Sequence, residues 1–338
     1  MLKILILSAS IGSGHIKAAE AIQCEMRNVG TRNEELRTSS LIPTSSQFLV
    51  PSSYVMEVHV VDFMAKDIST LNWLTKKFCP DVVICTHPFP EAAASLWKFL
   101  HAKSEKNFLL ATVLTDYSLH EIWIYGEVDF YFVATEEMKT KLAAHCRAGQ
   151  KIFATGIPID ERFSVAEKIS DNSRTTILIM GGGLGLGSIE ETLSELNKIK
   201  FPLKILVVAG QNENLLSRLR KEKFSHPTEI FGYVSEIDKL MAQADLLITK
   251  PGALTMTEAF AAGVPLILHA PIPGPEALNA EYAISHGAAI AVGDKKISAV
   301  VEELLIDPAR LAEMKRSAKK ISRPFAAKEI VNKLINPL

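Results

Sequence analysis

Gly12, Gly14 and His15 follow an apolar run, Leu2 to Leu7, in the order Ser8-Ala9-Ser10-Ile11-Gly12-Ser13-Gly14-His15-Ile16-Lys17-Ala18-Ala19. A strand that breaks into a glycine turn and then a helix brings unpaired N–H groups and the positive helix end to one spot. An anion or a developing negative charge is stabilised there. The same dipole disfavours protonation of an imidazole, so His15 is expected to be neutral. A neutral imidazole beside an anion site suits a general base for a hydroxyl group. The other reading is a plain strand-to-helix turn with a capping histidine. A dinucleotide fingerprint is excluded because its third glycine is replaced by Lys17, and a nucleoside-triphosphatase loop is excluded because no Gly-Lys-Ser/Thr follows.

Three further segments carry polar chemistry. Gly181-Gly182-Gly183-Leu184-Gly185-Leu186-Gly187 follows an apolar run and exposes N–H groups suited to a phosphate, or is a flexible turn. Thr249 to Ala259 holds Lys250, Gly252, Thr255 and Glu258. Its glycine turn opens a helix in which Glu258, one turn in, can accept both hydroxyls of a ribose. Alternatively Glu258 complements the dipole, Thr255 caps and Lys250 is solvated. Pro271-Ile272-Pro273-Gly274-Pro275-Glu276-Ala277-Leu278-Asn279 is a rigid loop that delivers Glu276 and Asn279 beside a helix start, as a reader of hydroxyl groups or as a connection only.

These segments need strand–helix units to position them. Runs at Lys3 to Leu7, Val58 to Val61, Asp81 to Cys85, Phe108 to Leu114 and Asp129 to Ala134 are mostly apolar on both faces, as in a covered parallel sheet. The pattern restarts at Thr176 to Met180, Lys204 to Ala209, Glu229 to Phe231, Leu246 to Thr249, Leu266 to His269 and Ala288 to Val292. Two doubly wound α/β sheets in series are expected: a first domain over 1–160, a linker over 161–174 and a second domain over 175–323. A terminal helix over 324–338 is expected to pack back.

The chain has 338 residues, a length that suits two domains, and a formal charge of -1, which provides no field for nucleic acid. Cys24, Cys79, Cys85 and Cys146 show neither CxxC nor zinc spacing and read as reduced core residues of a cytoplasmic protein. No run reaches membrane-spanning length. Leu36 to Met56 has scattered apolar residues and no acid, and reads as a mobile acceptor or membrane-contact loop, or as an ordinary surface loop. Lys76, Lys77, Lys98 and Lys103 form a basic set that would favour anionic lipid.

The order GSGHIKAA, PDVVICTHP, TDYSLHEIW, TGIPID, a glycine loop, GYV, TKPGALTMTEAFAAGVP and PGPEALNAEY resembles the diacylglycerol glycosyltransferases of glycosyltransferase family 28. The resemblance implies a GT-B fold, with two Rossmann-like domains facing a cleft, acceptor on the first and UDP-sugar on the second, and no obligatory metal or cofactor. It implies that His15 is the base and that Gly12 and Gly14 shape the turn near the donor's diphosphate. Gly182 and Gly183 would meet the diphosphate, and Phe231, Gly232, Tyr233 and Val234 the uracil. Gly252, Thr255 and Glu258 would form the ribose-side turn and helix, and Gly274, Glu276 and Asn279 the hexose site. Asp116, His87 and His120 would stand near the acceptor or support His15. The implied activity is inverting transfer of a hexose to a lipid, diacylglycerol, with peripheral contact to an anionic membrane at the cytoplasmic face. A polyprenyl or small-molecule acceptor, an epimerase and a non-catalytic sensor are the alternatives. Two departures stand out: Pro275 replaces the glutamine of the family's PGQE motif, and Gly30 to Pro80 is shorter than the family's lipid-acceptor segment.

Overall fold

The computed structural model describes residues 2–10, 14–30, 45–49, 55–64, 66, 68–103, 107–166, 174–181, 189–269 and 273–335. Two units emerge, Met1–Asp160 with Phe325–Leu338, and Glu161–Pro324.

The first unit runs β1 (Leu2–Ser8), α1 (Gly14–Gly30), β2 (Ser45–Leu49), β3 (Val55–Asp62), α2 (Ile68–Phe78), β4 (Val82–Cys85), α3 (Pro88–Leu100), β5 (Leu109–Val113), a 3-10 turn (Glu121–Trp123), β6 (Phe130–Val133), α4 (Glu136–Ala143) and β7 (Lys151–Ala154). The second runs α5 (Arg162–Val165), β8 (Thr175–Met180), α6 (Ile189–Leu196), β9 (Leu203–Val208), α7 (Glu213–Leu219), β10 (Thr228–Phe231), α8 (Ile237–Gln243), β11 (Leu246–Thr249), α9 (Ala253–Ala262), β12 (Leu266–Leu268), α10 (Pro275–Ser285), β13 (Ala289–Ala291), α11 (Ile297–Leu305) and α12 (Pro308–Ile321). The last helix, α13 (Ala326–Ile335), returns to the first unit.

The first sheet has the order β2-β3-β1-β4-β5-β6-β7, with β2 antiparallel to β3 and the remaining pairs parallel. The second has the order β10-β9-β8-β11-β12-β13, all parallel. In both, the order reverses beside the first strand of the unit, β1 or β8. The crevice outside the carboxyl ends of the strands opens there.

Strand β1 forms because Ile4, Leu5, Ile6 and Leu7 are all buried, which only a sheet covered on both faces can use. Ile4 and Ile6 pack with Ile22 and Met26 of α1 and with Ile330, Val331 and Leu334 of α13, so the terminal helix completes the first core. Helix α9 stops at Gly263, whose φ of 70° is the left-handed cap conformation and whose added Cβ would meet the Lys319 side chain at 2.5 Å.

Several expectations need correction. Residues 45–49, inside the segment expected to be a loop, form an edge strand, while 31–44 and 50–54 lie outside the described residues. Strand β7 adds a further edge that the apolar runs do not reveal. The expected linker opens with α5, whose Phe163 is buried as the helix packs on α8 and α9 of the second unit; 167–173 lie outside the described residues. Only Cys85 of the four cysteines is a core residue, since Cys24 and Cys79 are exposed and Cys146 is partly so.

Candidate active site

In the first unit the loops after β1, β4 and β5 converge on His15. Its Nδ1 lies 2.9 Å from the carbonyl oxygen of Thr86, and the Thr86 hydroxyl donates back to the His15 carbonyl at 3.0 Å. The Thr115 hydroxyl lies 2.8 Å from the same Nδ1. A carbonyl can only accept, so Nδ1 carries the proton and Nε2 of the neutral ring presents its lone pair. A lone pair so placed can accept a proton from a hydroxyl group. Burial lowers the pKa of His15 below its ordinary value, partly opposed by the Thr86 carbonyl and the charge of Asp116. Burial is thus the main cause of its neutrality, where the sequence pointed to the helix dipole. Gly14 and His15 open α1, while Gly12 lies outside the described residues.

His87 stands beside this ring. Their centres are 4.5 Å apart and the planes nearly perpendicular, at 85°. The backbone N–H of Phe89 donates to His87 Nδ1 at 3.1 Å, which makes His87 the N-cap of α3, ahead of Pro88 at the first helical position. Burial, then the neighbouring His15, pull its pKa down to about 4. Because the folded value lies below that of the unfolded chain, near 6.5, the contribution is complete above about pH 6.5 and lost as pH falls toward 4. At roughly 1.4 kcal/mol per pH unit, the parent should lose up to about 3 kcal/mol more than His87→Asn between pH 7 and pH 4. Denaturant unfolding at both pH values checks this, and a constant difference between the two proteins contradicts it.

Asp116 is half-buried beside Thr115 and acts on His15 through its charge. His120 serves elsewhere, because its Nδ1 accepts from the Ile122 N–H at 3.3 Å and caps the 3-10 turn. Thr86 and Thr115 are site residues that the sequence did not single out. Their one signal is adjacency to His87 and Asp116 in THP and TDYSLH.

In the second unit the nominated residues stand at the carboxyl ends of β10 and β11 and on the two helices that follow β11 and β12. Phe231 closes β10, and Gly232, Tyr233 and Val234 follow it, with Tyr233 exposed. Gly252 caps α9 without a side-chain acceptor, so no capping side chain satisfies the first N–H groups of that helix. Thr255 is half-buried, and Glu258 is buried one turn along. Asn279 of α10 is buried and donates to the Pro251 carbonyl at 3.4 Å, tying the start of α10 to the turn before α9. Gly274 precedes Pro275 with a φ of 103°, a turn that sets Glu276 in the first turn of α10. Gly182 and Gly183 lie outside the described residues.

Lys250 and His269 follow the ends of neighbouring strands, β11 and β12, and His269 went unremarked in the sequence. Burial and the Lys250 charge lower the His269 pKa. A cavity of about 520 Å³ opens beside His269 and Gly293 at the carboxyl ends of β12 and β13, bounded by Glu191 and Glu195 of α6. None of the described donor candidates lines it, so the cavity lies to one side of them. Among the described residues no cluster of His, Cys, Asp and Glu is arranged to hold a metal ion.

Residues 63–159 match the monogalactosyldiacylglycerol (MGDG) synthase model, and residues 176–330 match the glycosyltransferase family 28 C-terminal domain. A processive diacylglycerol beta-glucosyltransferase of Bacillus cereus (strain AH187) is 32% identical over 98% of this chain and 93% of its own. That of Bacillus licheniformis is also 32% identical, over 98% and 94%. The crystal structure of Acinetobacter baumannii MurG superposes with a TM-score of 0.69 at 18% identity, covering 100% of both chains, which establishes the GT-B fold. With a third of its residues shared across nearly its whole length, and family matches in both units, the chain belongs to the diacylglycerol glycosyltransferases of glycosyltransferase family 28.

Proposed function

We propose that the protein transfers a hexose from a UDP-sugar to the hydroxyl of diacylglycerol in one inverting displacement. The observation that carries this reading is His15: a neutral ring anchored through Nδ1 by Thr86 and Thr115, with Nε2 left as the base. Nε2 takes the hydroxyl proton as the acceptor oxygen bonds to the anomeric carbon. The bond from that carbon to the phosphate oxygen breaks, and UDP leaves with its electron pair. The uncapped N–H groups at the start of α9 suit the diphosphate, and Glu258 suits the ribose. An α-linked donor then gives a β-linked product. The test is incubation with labelled UDP-glucose, with and without diacylglycerol vesicles. Lipid-dependent UDP release with label in the lipid supports the reading. Sugar conversion without acceptor supports an epimerase instead, and binding without turnover supports a sensor.

Such an acceptor is met at a membrane, and an exposed apolar face of the first unit supports contact with one. No described helix is long and apolar enough to cross a membrane. Phe89, Leu96, Phe99 and Leu100 form an exposed stripe along α3, with Trp73 exposed on neighbouring α2. Phe99 and Leu100 are 65% and 62% exposed. Lys76 and Lys77 near the end of α2 and Lys103 just past α3 are exposed, and Lys77 Nζ lies 4.6 Å above the Trp73 ring. Aromatic and apolar groups together with exposed lysines fit an anionic bilayer at the cytoplasmic face. Lys98 is a poor member of the basic set, because it pairs with Asp129 and donates to the Glu127 carbonyl. Replacing Phe99 and Leu100 with Ser should strongly reduce co-sedimentation with anionic vesicles and leave UDP binding unchanged. Equal pelleting of variant and parent contradicts this docking face.

A further inference from the structure

His15 and His87 are two neutral imidazoles whose proton positions are set in opposite senses by the backbone. At His15 the Thr86 carbonyl accepts from Nδ1, which leaves Nε2 bare. At His87 the Phe89 amide donates to Nδ1, so Nε2 carries the hydrogen. Among the described residues neither Nε2 has a protein partner, and neither is one of the buried unpartnered atoms. The ring centres are 4.5 Å apart, close enough that nitrogens on the facing sides of the two rings fall within the roughly 5.6 Å that one oxygen, about 2.8 Å from each, can bridge. We infer that His15 and His87 together form a donor–acceptor clamp for one hydroxyl group: the acceptor hydroxyl gives its proton to His15 Nε2 and receives a hydrogen bond from His87 Nε2–H.

The chemistry of a hydroxyl makes this pairing useful. An alcohol oxygen has one hydrogen and two lone pairs. With the hydrogen directed to His15 and one lone pair to His87, the second lone pair has a fixed direction and is the one that attacks. During attack the O–H bond breaks toward His15 Nε2, a new O–C bond forms, and the His87 hydrogen stays on His87. A primary amine has one lone pair, so it cannot both accept from His87 and attack. The clamp therefore selects hydroxyl acceptors over amines. His87 is a substrate-binding residue in this scheme, and its cap on α3 keeps the tautomer in place. The inference rests on the proposed transfer to a lipid hydroxyl, but the tautomers on which it depends can be measured apart from turnover.

Two substitutions separate the clamp from the cap. His87→Asn keeps an acceptor at the position of Nδ1 and hence the helix cap, but removes Nε2–H. His87→Gln keeps an N–H at about the reach of Nε2 but gives up the cap. The clamp requires that kcat/KM for diacylglycerol fall at least tenfold in His87→Asn, with UDP affinity unchanged, and that His87→Gln recover much of the loss. A merely structural His87 gives the reverse order, which overturns the inference. In parallel, nitrogen–proton correlation spectra of the histidine-labelled full chain at pH 7, assigned with the variants and with His15→Ala, should show Nδ1–H on His15 and Nε2–H on His87. The same tautomer on both rings, or a charged ring, overturns the clamp even if transfer occurs. If the parent fails to glycosylate diacylglycerol, the functional reading fails, and the spectra still decide the clamp.

Discussion

His15→Ala is expected to lower the rate of sugar transfer by about 10²–10⁴-fold, the usual cost of removing a general base, while UDP affinity changes by less than about 1 kcal/mol. The asymmetry follows from where the ring is held. Its Nδ1 is occupied by the Thr86 carbonyl and the Thr115 hydroxyl, so only Nε2 is left for the reaction, and most of the residues proposed for the donor lie in the other unit. The pH profile should agree. Burial holds His15 below the ordinary histidine value, so kcat/KM should be flat at neutral pH and fall only on acidification past a midpoint below 6.5. Parallel measurement of turnover and of the UDP dissociation constant checks the prediction. Turnover within a few fold of the parent would reduce His15 to a structural residue, and collapse of UDP binding would make it a donor ligand.

Glu258→Ala should act on the other substrate. Glu258 is buried one turn into α9, where a carboxylate can accept from both ribose hydroxyls. Loss of two charge-assisted hydrogen bonds is expected to weaken UDP by about 1.5–3 kcal/mol, roughly 10–150-fold. Calorimetric titration with UDP alone measures this without an acceptor. A folded variant that binds UDP as the parent does would remove Glu258 from the donor site. His15→Ala and Glu258→Ala thus separate the chemical step from donor binding.

What can be read before folding is whatever shows as a local pattern. Ile4 to Leu7, Val82 to Cys85 and Leu246 to Thr249 are apolar on both faces, and they are central strands. Strand β7 escapes because its apolar run, Ile152 to Ala154, is only three residues long between Lys151 and Thr155-Gly156, too short to mark an edge strand. Residues 45–49 escape for a related reason: Ser45, Ser46 and Gln47 read as loop, and only antiparallel pairing with β3 makes them a strand. Helix α13 is legible as a helix and as an element that packs back. Its contact with Ile4 and Ile6 depends on a chain reversal of more than 300 residues and shows only in three dimensions.

The active-site residues divide in the same way. His15 stands out because a glycine turn and a helix start surround it. The groups that set its proton do not: Thr86 is 71 residues away and Thr115 is 100, so no spacing rule connects them. His87 shows in the sequence only as a loop histidine, and its cap on α3 and its approach to His15 come from the convergence of β1 and β4. Local sequence singles out His15, the base proposed here, and tertiary structure supplies its tautomer.

The most direct test of the proposed reaction is the anomeric configuration of the sugar on the lipid recovered from α-linked UDP-glucose and diacylglycerol, read by proton NMR. Attack by a hydroxyl deprotonated at His15 Nε2 predicts a single β-glucosyl lipid. An α-linked lipid would contradict a single displacement, and sugar released or rearranged with none on the lipid would contradict the transfer itself.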